Sequence, residues 1–126
     1  MRATLLTPSL LVFLAGCSSN NLGREEEDKV RQALETSLNF WRTGQPAAKL
    51  QERSPPIHIV DEDWDKGQRL VDYEIMSLSK AGQGNPRCAV RLSLRDPDGG
   101  DRQTEVVYEV NAKADGEIVI GRDPFQ

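Results

Sequence analysis

Two thiols, Cys17 and Cys88, and one imidazole, His58, are the most reactive side chains in this sequence of 126 residues. His58 has no nucleophile or carboxylate partner at a recognisable spacing, so we expect it to be a partly buried or edge-strand residue without a catalytic role. Cys88 alternates with polar residues in an apolar segment, where a cysteine behaves as a small hydrophobic side chain. Cys17 differs, because it directly follows an apolar run and two small residues. We therefore assign chemistry to Cys17 and no catalytic role to any residue.

The residues before Cys17 predict export. Arg2 supplies a positive charge, and residues 3–14 form a short apolar core, as in a secretory signal peptide. A membrane span would need about 20 apolar residues, and this run is shorter. The ending Leu14-Ala15-Gly16-Cys17 resembles the lipobox of bacterial lipoproteins. The resemblance implies cleavage between Gly16 and Cys17 and a diacylglyceryl group on the Cys17 thiol, which brings acyl chains such as palmitate.

The anchor implied by this resemblance predicts a location in the cell envelope. Two or more acyl chains hold a protein stably on a bilayer, whereas one gives only marginal binding. Ser18 stands where an aspartate would favour retention in the inner membrane, so the sorting pattern of bacterial lipoproteins favours the inner face of an outer membrane. Acylation of Cys17 also leaves Cys88 without a disulfide partner in the chain.

The overall charge indicates which classes of partner the sequence does not favour. A formal net charge of −4 lacks the basic footprint of nucleic-acid-binding proteins. It also gives no general attraction to anionic lipid headgroups. The predicted membrane contact is therefore the lipid anchor alone, and we expect no nucleic-acid partner.

Composition divides the chain into a signal peptide at 1–16, a polar lipidated tether at 17–23 and a single domain at 24–126. The domain begins with an acidic first turn that suits a helix N-terminus. An apolar stripe at helical spacing follows, formed by Val30, Ala33, Leu34, Ser37, Leu38 and Trp41. Pro46 then favours a second, short helix beginning at its own position.

The second half of the domain predicts strands at 57–60, 69–78, 88–95, 102–112 and 117–120. Alternation places Val71, Tyr73 and Ile75 on the apolar face of the second strand. Residues 61–67 are expected to form a charged loop. The predicted class is α+β, with the amphipathic helix and the short helix packed on a curved antiparallel sheet.

This order of elements resembles the NTF2-like, cystatin-like superfamily, whose sheet curls into a cone. The segments that carry the resemblance are Asn39-Phe40-Trp41-Arg42-Thr43-Gly44, Asp63-Trp64, Leu70-Val71-Asp72-Tyr73-Glu74, Val107-Tyr108-Glu109-Val110 and Ile118-Val119-Ile120-Gly121-Arg122. A plain cystatin-like sheet on a helix is the competing interpretation. Membership in the cone family implies an internal pocket, for which the candidate lining residues are Trp41, Trp64, Asp72, Tyr73 and Tyr108. The alternative is that these aromatic residues are simply core.

Acidic runs supply the only pattern that suggests a metal. Asp61, Asp63, Asp65 and Asp72 imitate the spacing of a calcium loop. The glycine stands one position late and the last acid is not the glutamate that binds calcium through two oxygens. We interpret this run, and the shorter run around Asp98, as solvated turns, and we predict no metal and no cofactor.

Three functions remain open from the sequence. The first is a non-enzymatic envelope protein that binds a small ligand or another envelope protein. The second is a small pocket enzyme of the isomerase, dehydratase or hydrolase type that uses Asp72, Tyr73 or His58. The third is a structural or assembly protein that acts as a homodimer.

Overall fold

The computed structural model describes residues 22–80 and 82–123. The predicted signal peptide and Cys17 lie outside the described residues. The elements are α1 (Arg24–Arg42), a 3-10 helix (Ala47–Glu52), β1 (Ile57–Val60), α2 (Glu62–Asp65), β2 (Arg69–Ser79), β3 (Arg87–Arg95), β4 (Asp101–Ala112) and β5 (Ile118–Arg122). The α+β class predicted from the sequence is confirmed.

The five strands form one sheet in the order β1-β5-β4-β3-β2. Strands β2 to β5 make an antiparallel meander, whereas β1 pairs with β5 in parallel, with Ile57 opposite Ile118. The prediction of a wholly antiparallel sheet is therefore wrong, and the sheet is mixed. Alternating side chains predict which face of a strand is buried, but they carry no information about the direction of its neighbour.

The apolar stripe of α1 packs on one face of this sheet, as predicted. All six stripe residues are buried, and they meet Cys88, Val90, Leu92 and Leu94 of β3 in the core. Ser37 is the polar member of the stripe, and its hydroxyl donates a hydrogen bond of 2.8 Å to the carbonyl oxygen of Ala33. A buried hydroxyl is thereby satisfied within the helix itself.

Strand β2 departs from the predicted alternation at its first residues. Val71, predicted on the apolar face, is 46% exposed, while its neighbour Leu70 is 3% exposed. The pairing with β3 shifts register between Leu70 and Asp72, which makes Val71 the extra residue of a β-bulge. Beyond the bulge, Tyr73 and Ile75 pack against the core as expected.

The predicted charged loop at 61–67 contains the short helix α2 instead. Asp61 caps this helix, and its side chain accepts hydrogen bonds from the backbone N–H groups of Asp63 (2.9 Å) and Trp64 (3.3 Å). An aspartate at this position satisfies N–H donors that the first turn leaves unpaired. The loop prediction is therefore wrong over 62–65, because an acidic run that follows a capping aspartate also suits the first turn of a helix.

Candidate functional site

Trp41 and Trp64 fill the space between α1 and α2. Their rings stack with centroids 5.3 Å apart and planes 3° from parallel, the offset arrangement that aromatic pairs favour. The indole N–H of Trp41 donates to the backbone oxygen of Gln68 at 2.8 Å. These two candidate pocket residues therefore contact each other.

Tyr108 lies in the centre of the core and meets a buried ionic cluster. Its hydroxyl donates to Asp61 Oδ2 at 2.5 Å, and both residues are at most 2% exposed. Arg122 Nη2 lies 3.0 Å from Asp61 Oδ1 and 2.7 Å from Asp63 Oδ2. Arg102 closes the cluster with a contact of 2.9 Å to Asp63 Oδ1. Every charge in this cluster has an opposite charge in direct contact, which is the condition for keeping ions inside a protein.

The electrostatics of the cluster shift the pKa values of Asp63 and Tyr108 in opposite directions, both away from neutral pH. Burial alone would raise the pKa of Asp63, but the hydrogen bonds and charges of Arg122 and Arg102 outweigh it and lower the pKa below its ordinary 3.8. Burial, followed by the negative charge of Asp61, raises the pKa of Tyr108 well above 10.0. A general acid or base works best with a pKa near the operating pH. Neither Asp63 nor Tyr108 meets that condition, so the cluster is suited to holding β1, α2 and β5 together.

The other candidate residues lie apart from this cluster. The side chain of Asp72 is 72% exposed and lies 3.8 Å from Arg42. Tyr73 is half-buried and donates a hydrogen bond of 3.0 Å to Asn39 Oδ1, and burial followed by the charge of Glu35 raises its pKa. His58 is exposed on the edge strand β1, with its Nδ1 3.1 Å from Gln51 Nε2. The structure therefore does not bring Asp72, Tyr73 and His58 into one site.

A groove of about 910 Å³ opens at the N-terminal half of α1. Its other walls come from residues 53–57, the β2–β3 connection and the β4–β5 hairpin. Its apolar lining consists of Val30, Ala33, Pro55, Ile57, Pro86, Val110, Ala112 and Ile118. None of the five pocket residues predicted from the sequence lines this groove. Volumes of 300–1,000 Å³ are typical of small-molecule sites, so the groove is the candidate functional site.

The rim of the groove is basic although the protein is acidic. It carries Lys29, Arg53, Lys80 and Lys113 against two acids, Glu25 and Glu26. Lys80 Nζ lies 3.2 Å from both carboxylate oxygens of Glu26. This ion pair joins α1 to the end of β2 across the groove. Lys80 keeps 28% of its side chain exposed and Glu26 keeps 42%, so the pair stands at the solvent boundary.

A second cavity of about 380 Å³ lies near the start of β2 and is lined by residues such as Val71, Arg95 and Asp101. Its charges are already matched, since Arg95 Nε lies 2.8 Å from Asp101 Oδ1. This cavity offers fewer apolar groups than the groove and no cation that lacks a partner among its described neighbours.

Within residues 22–80 and 82–123, no group of three or more His, Cys, Asp or Glu side chains is arranged to hold a metal ion. The same described part of the chain has no helix with the length and apolarity that a membrane crossing requires. Comparisons with protein-family models, with curated proteins and with solved structures gave no match.

Sequence reasoning missed both the groove and the ionic cluster. Glu26 and Lys80 are 54 positions apart, and Asp61 and Arg122 are 61 positions apart. Their meeting depends on the packing of α1 and on the parallel pairing of β1 with β5. Nothing in the local spacing of these residues signals either contact.

Proposed function

We propose that the protein is an envelope lipoprotein anchored through Cys17, whose NTF2-like domain binds a small ligand without catalysis. The observation that carries the binding proposal is the groove of about 910 Å³. Its apolar lining residues, named above, form its floor, and its rim is basic. A fold that leaves such an opening beside an otherwise packed core is typical of a binding module.

The contents of the core favour binding over catalysis. Trp41, Trp64 and Tyr108 pack against partners inside the fold, and the carboxylates near them are paired with arginines. The acid–base residues that an enzyme of this type would use, Asp72 and His58, are exposed and separate. These positions give the isomerase and hydrolase alternative no support.

The NTF2-like assignment of the domain is supported by the order of its elements. A long helix and a short helix precede the first strand, and the long helix covers one face of the sheet. A further short helix, α2, separates β1 from the four-stranded meander. A plain cystatin-like sheet on one helix would need neither the 3-10 helix nor α2.

The anchor is tested by replacing Cys17 with serine. We expect wild-type protein to fractionate with membranes, with an N-terminal mass that includes acyl chains, and Cys17→Ser to lose both properties. Cys88→Ser is the matched control, because its thiol is buried and its loss should leave fractionation unchanged. Retention of Cys17→Ser on membranes, with cleavage at the same bond, would contradict the lipoprotein assignment.

Ligand binding is tested by filling the groove. Thr36 and Ala112 line it and are not buried, so Thr36→Trp and Ala112→Trp should block it without opening the core. We expect native mass spectrometry of the membrane-extracted protein to detect a co-purified small molecule, and both variants to lack it. Ala48→Trp, at an exposed position on the 3-10 helix, is the control. Equal occupancy in all four proteins would place the ligand elsewhere and defeat the proposal.

A further inference from the structure

We propose that the groove binds a single-chain amphiphile with an anionic head group, whose chain lies on the apolar floor and whose head contacts Lys80. This inference rests on the proposed binding function of the groove and adds the chemical class of its ligand.

The floor of the groove determines the apolar part of the ligand. Among the apolar residues that line the groove, Pro55 and Ala112 are exposed and Ile118 is half-buried. Contact with an alkyl chain removes apolar surface from water on both sides, which is the main source of affinity in such sites. A ligand without an apolar body would leave this surface unused.

The rim determines the charge of the ligand. Lys29 and Lys113 make no ion pair with any residue of the described chain, and Lys80 has Glu26 as its counterion. A local concentration of cations around an opening attracts anions at short range, although the net charge of the whole protein is −4. An anionic head group near Lys80 would compete directly with the Glu26 carboxylate.

The chain's own lipid is a less suitable occupant. Cys17 precedes the start of α1 by seven residues, which reach at most about 25 Å, so the groove stays close to the bilayer. Acyl chains linked to Cys17 by ester, amide and thioether bonds carry no negative charge to match the basic rim. A separate anionic amphiphile, exchanging with the nearby membrane, satisfies both the floor and the rim.

The Glu26–Lys80 pair provides a reciprocal test. Oleate and oleyl alcohol, which share one chain and differ in charge, are titrated against the mature chain carrying Cys17→Ser. We expect Lys80→Gln to weaken oleate binding roughly fivefold and Glu26→Gln to strengthen it by a similar factor, the scale of a partly exposed charge pair. Oleyl alcohol should bind the parent protein more weakly than oleate and respond to neither change. Lys49→Gln, at an exposed site outside the groove, is the control.

Both substitutions break the same ion pair, so a purely structural role would move oleate affinity in the same direction in both variants. That result would overturn the proposal. Equal affinity for oleate and oleyl alcohol, abolished by Thr36→Trp, would reject the anionic class while leaving the binding function of the groove intact. Binding of neither ligand, with no co-purified molecule in the native protein, would reject the binding function as well.

A second arm uses the acylated protein on phosphatidylcholine vesicles that contain a photoreactive oleate analogue. We expect crosslinks to peptides from the N-terminal half of α1 and the β4–β5 hairpin. If the analogue labels these peptides in the Cys17→Ser protein but not in the acylated protein, the chain's own acyl groups occupy the groove. That result would overturn the proposal.

Discussion

At the scale of single residues, the carboxylate of Asp61 is the centre of the buried ionic cluster. Its carboxylate accepts hydrogen bonds from two backbone N–H groups of α2, from the Tyr108 hydroxyl and from Arg122. A fully buried carboxylate is tolerated only when its lone pairs are occupied in this way. Removing its charge therefore leaves the partly buried Arg122 with Asp63 as its one remaining counterion among the described residues.

We expect Asp61→Asn to lower the free energy of unfolding by roughly 3 kcal/mol, the cost of breaking a buried ion pair from one side. Tyr108→Phe should lower it by about 1–2 kcal/mol, since it removes one hydrogen bond and keeps the ring. Asp65→Asn, exposed on the same helix, should change it by less than about 0.5 kcal/mol. Urea denaturation measures all three, and an equal effect of Asp61→Asn and Asp65→Asn would contradict the cluster.

The lowered pKa of Asp63 predicts a specific loss of stability in acid. Because its pKa is lower in the folded than in the unfolded chain, Asp63 stabilises the fold at neutral pH. This contribution is lost as the pH falls from the ordinary value of 3.8 through the lower folded-state value. We expect the unfolding free energies of wild type and Asp63→Asn to differ at pH 7 and to converge in strong acid. A difference between the two proteins that stays constant with pH would show that Asp63 is not paired as described.

At the scale of elements, β2 shows how a bulge redirects a strand. The register shift at Val71 moves Leu70 into the core, and a second shift lies between Ile75 and Ser77, where Met76 is 43% exposed. Both exposed apolar residues of β2 are thus bulge residues on an edge strand. Bulges twist an edge away from regular pairing and so hinder aggregation through it.

Because of the bulge at Val71, we expect Leu70 to contribute more to stability than Val71, whereas simple alternation along β2 predicts the reverse. We expect Leu70→Ala to cost about 2–5 kcal/mol of unfolding free energy and Val71→Ala less than about 1 kcal/mol. Thermal or urea unfolding of the two variants gives the comparison. A larger loss in Val71→Ala would mean that the strand follows the alternating pattern after all.

The features that could be predicted from the sequence are those that repeat with a regular period along one element. The helical stripe from Val30 to Trp41 and the alternation from Cys88 to Leu94 were predicted and confirmed, because burial of one face imposes a regular period. The bulge at Val71 breaks the period without a turn residue to mark it. The parallel neighbour of β1 and the groove depend on contacts between distant residues, which no local pattern encodes.

At the scale of the whole molecule, the parallel pairing of β1 with β5 joins the first and last strands of the sheet. It puts Asp61, just after β1, beside Arg122 at the end of β5. Cys88 lies on β3, next to the edge strand β2, and its side chain is fully buried in the hydrophobic core. Access to its thiol therefore requires opening of the core itself.

We expect Cys88 to resist thiol reagents until the protein unfolds. Burial, partly offset by the charge of Arg31, raises the pKa of the Cys88 thiol to about 11, so reactive thiolate is scarce at neutral pH. Labelling rates of the Cys17→Ser chain at increasing urea should follow the equilibrium population of unfolded protein. Rapid labelling in the absence of urea would indicate local opening of β3.

The stack of Trp41 on Trp64 makes the union of α1 and α2 visible to spectroscopy. These are the only two tryptophans of the chain, and at 5.3 Å with nearly parallel planes their electronic transitions couple. The coupling should give the circular dichroism spectrum an exciton couplet that either Trp→Phe substitution abolishes. If the couplet disappears on mild heating before the helical signal declines, α2 separates from α1 before α1 unfolds. The measurement needs no added label.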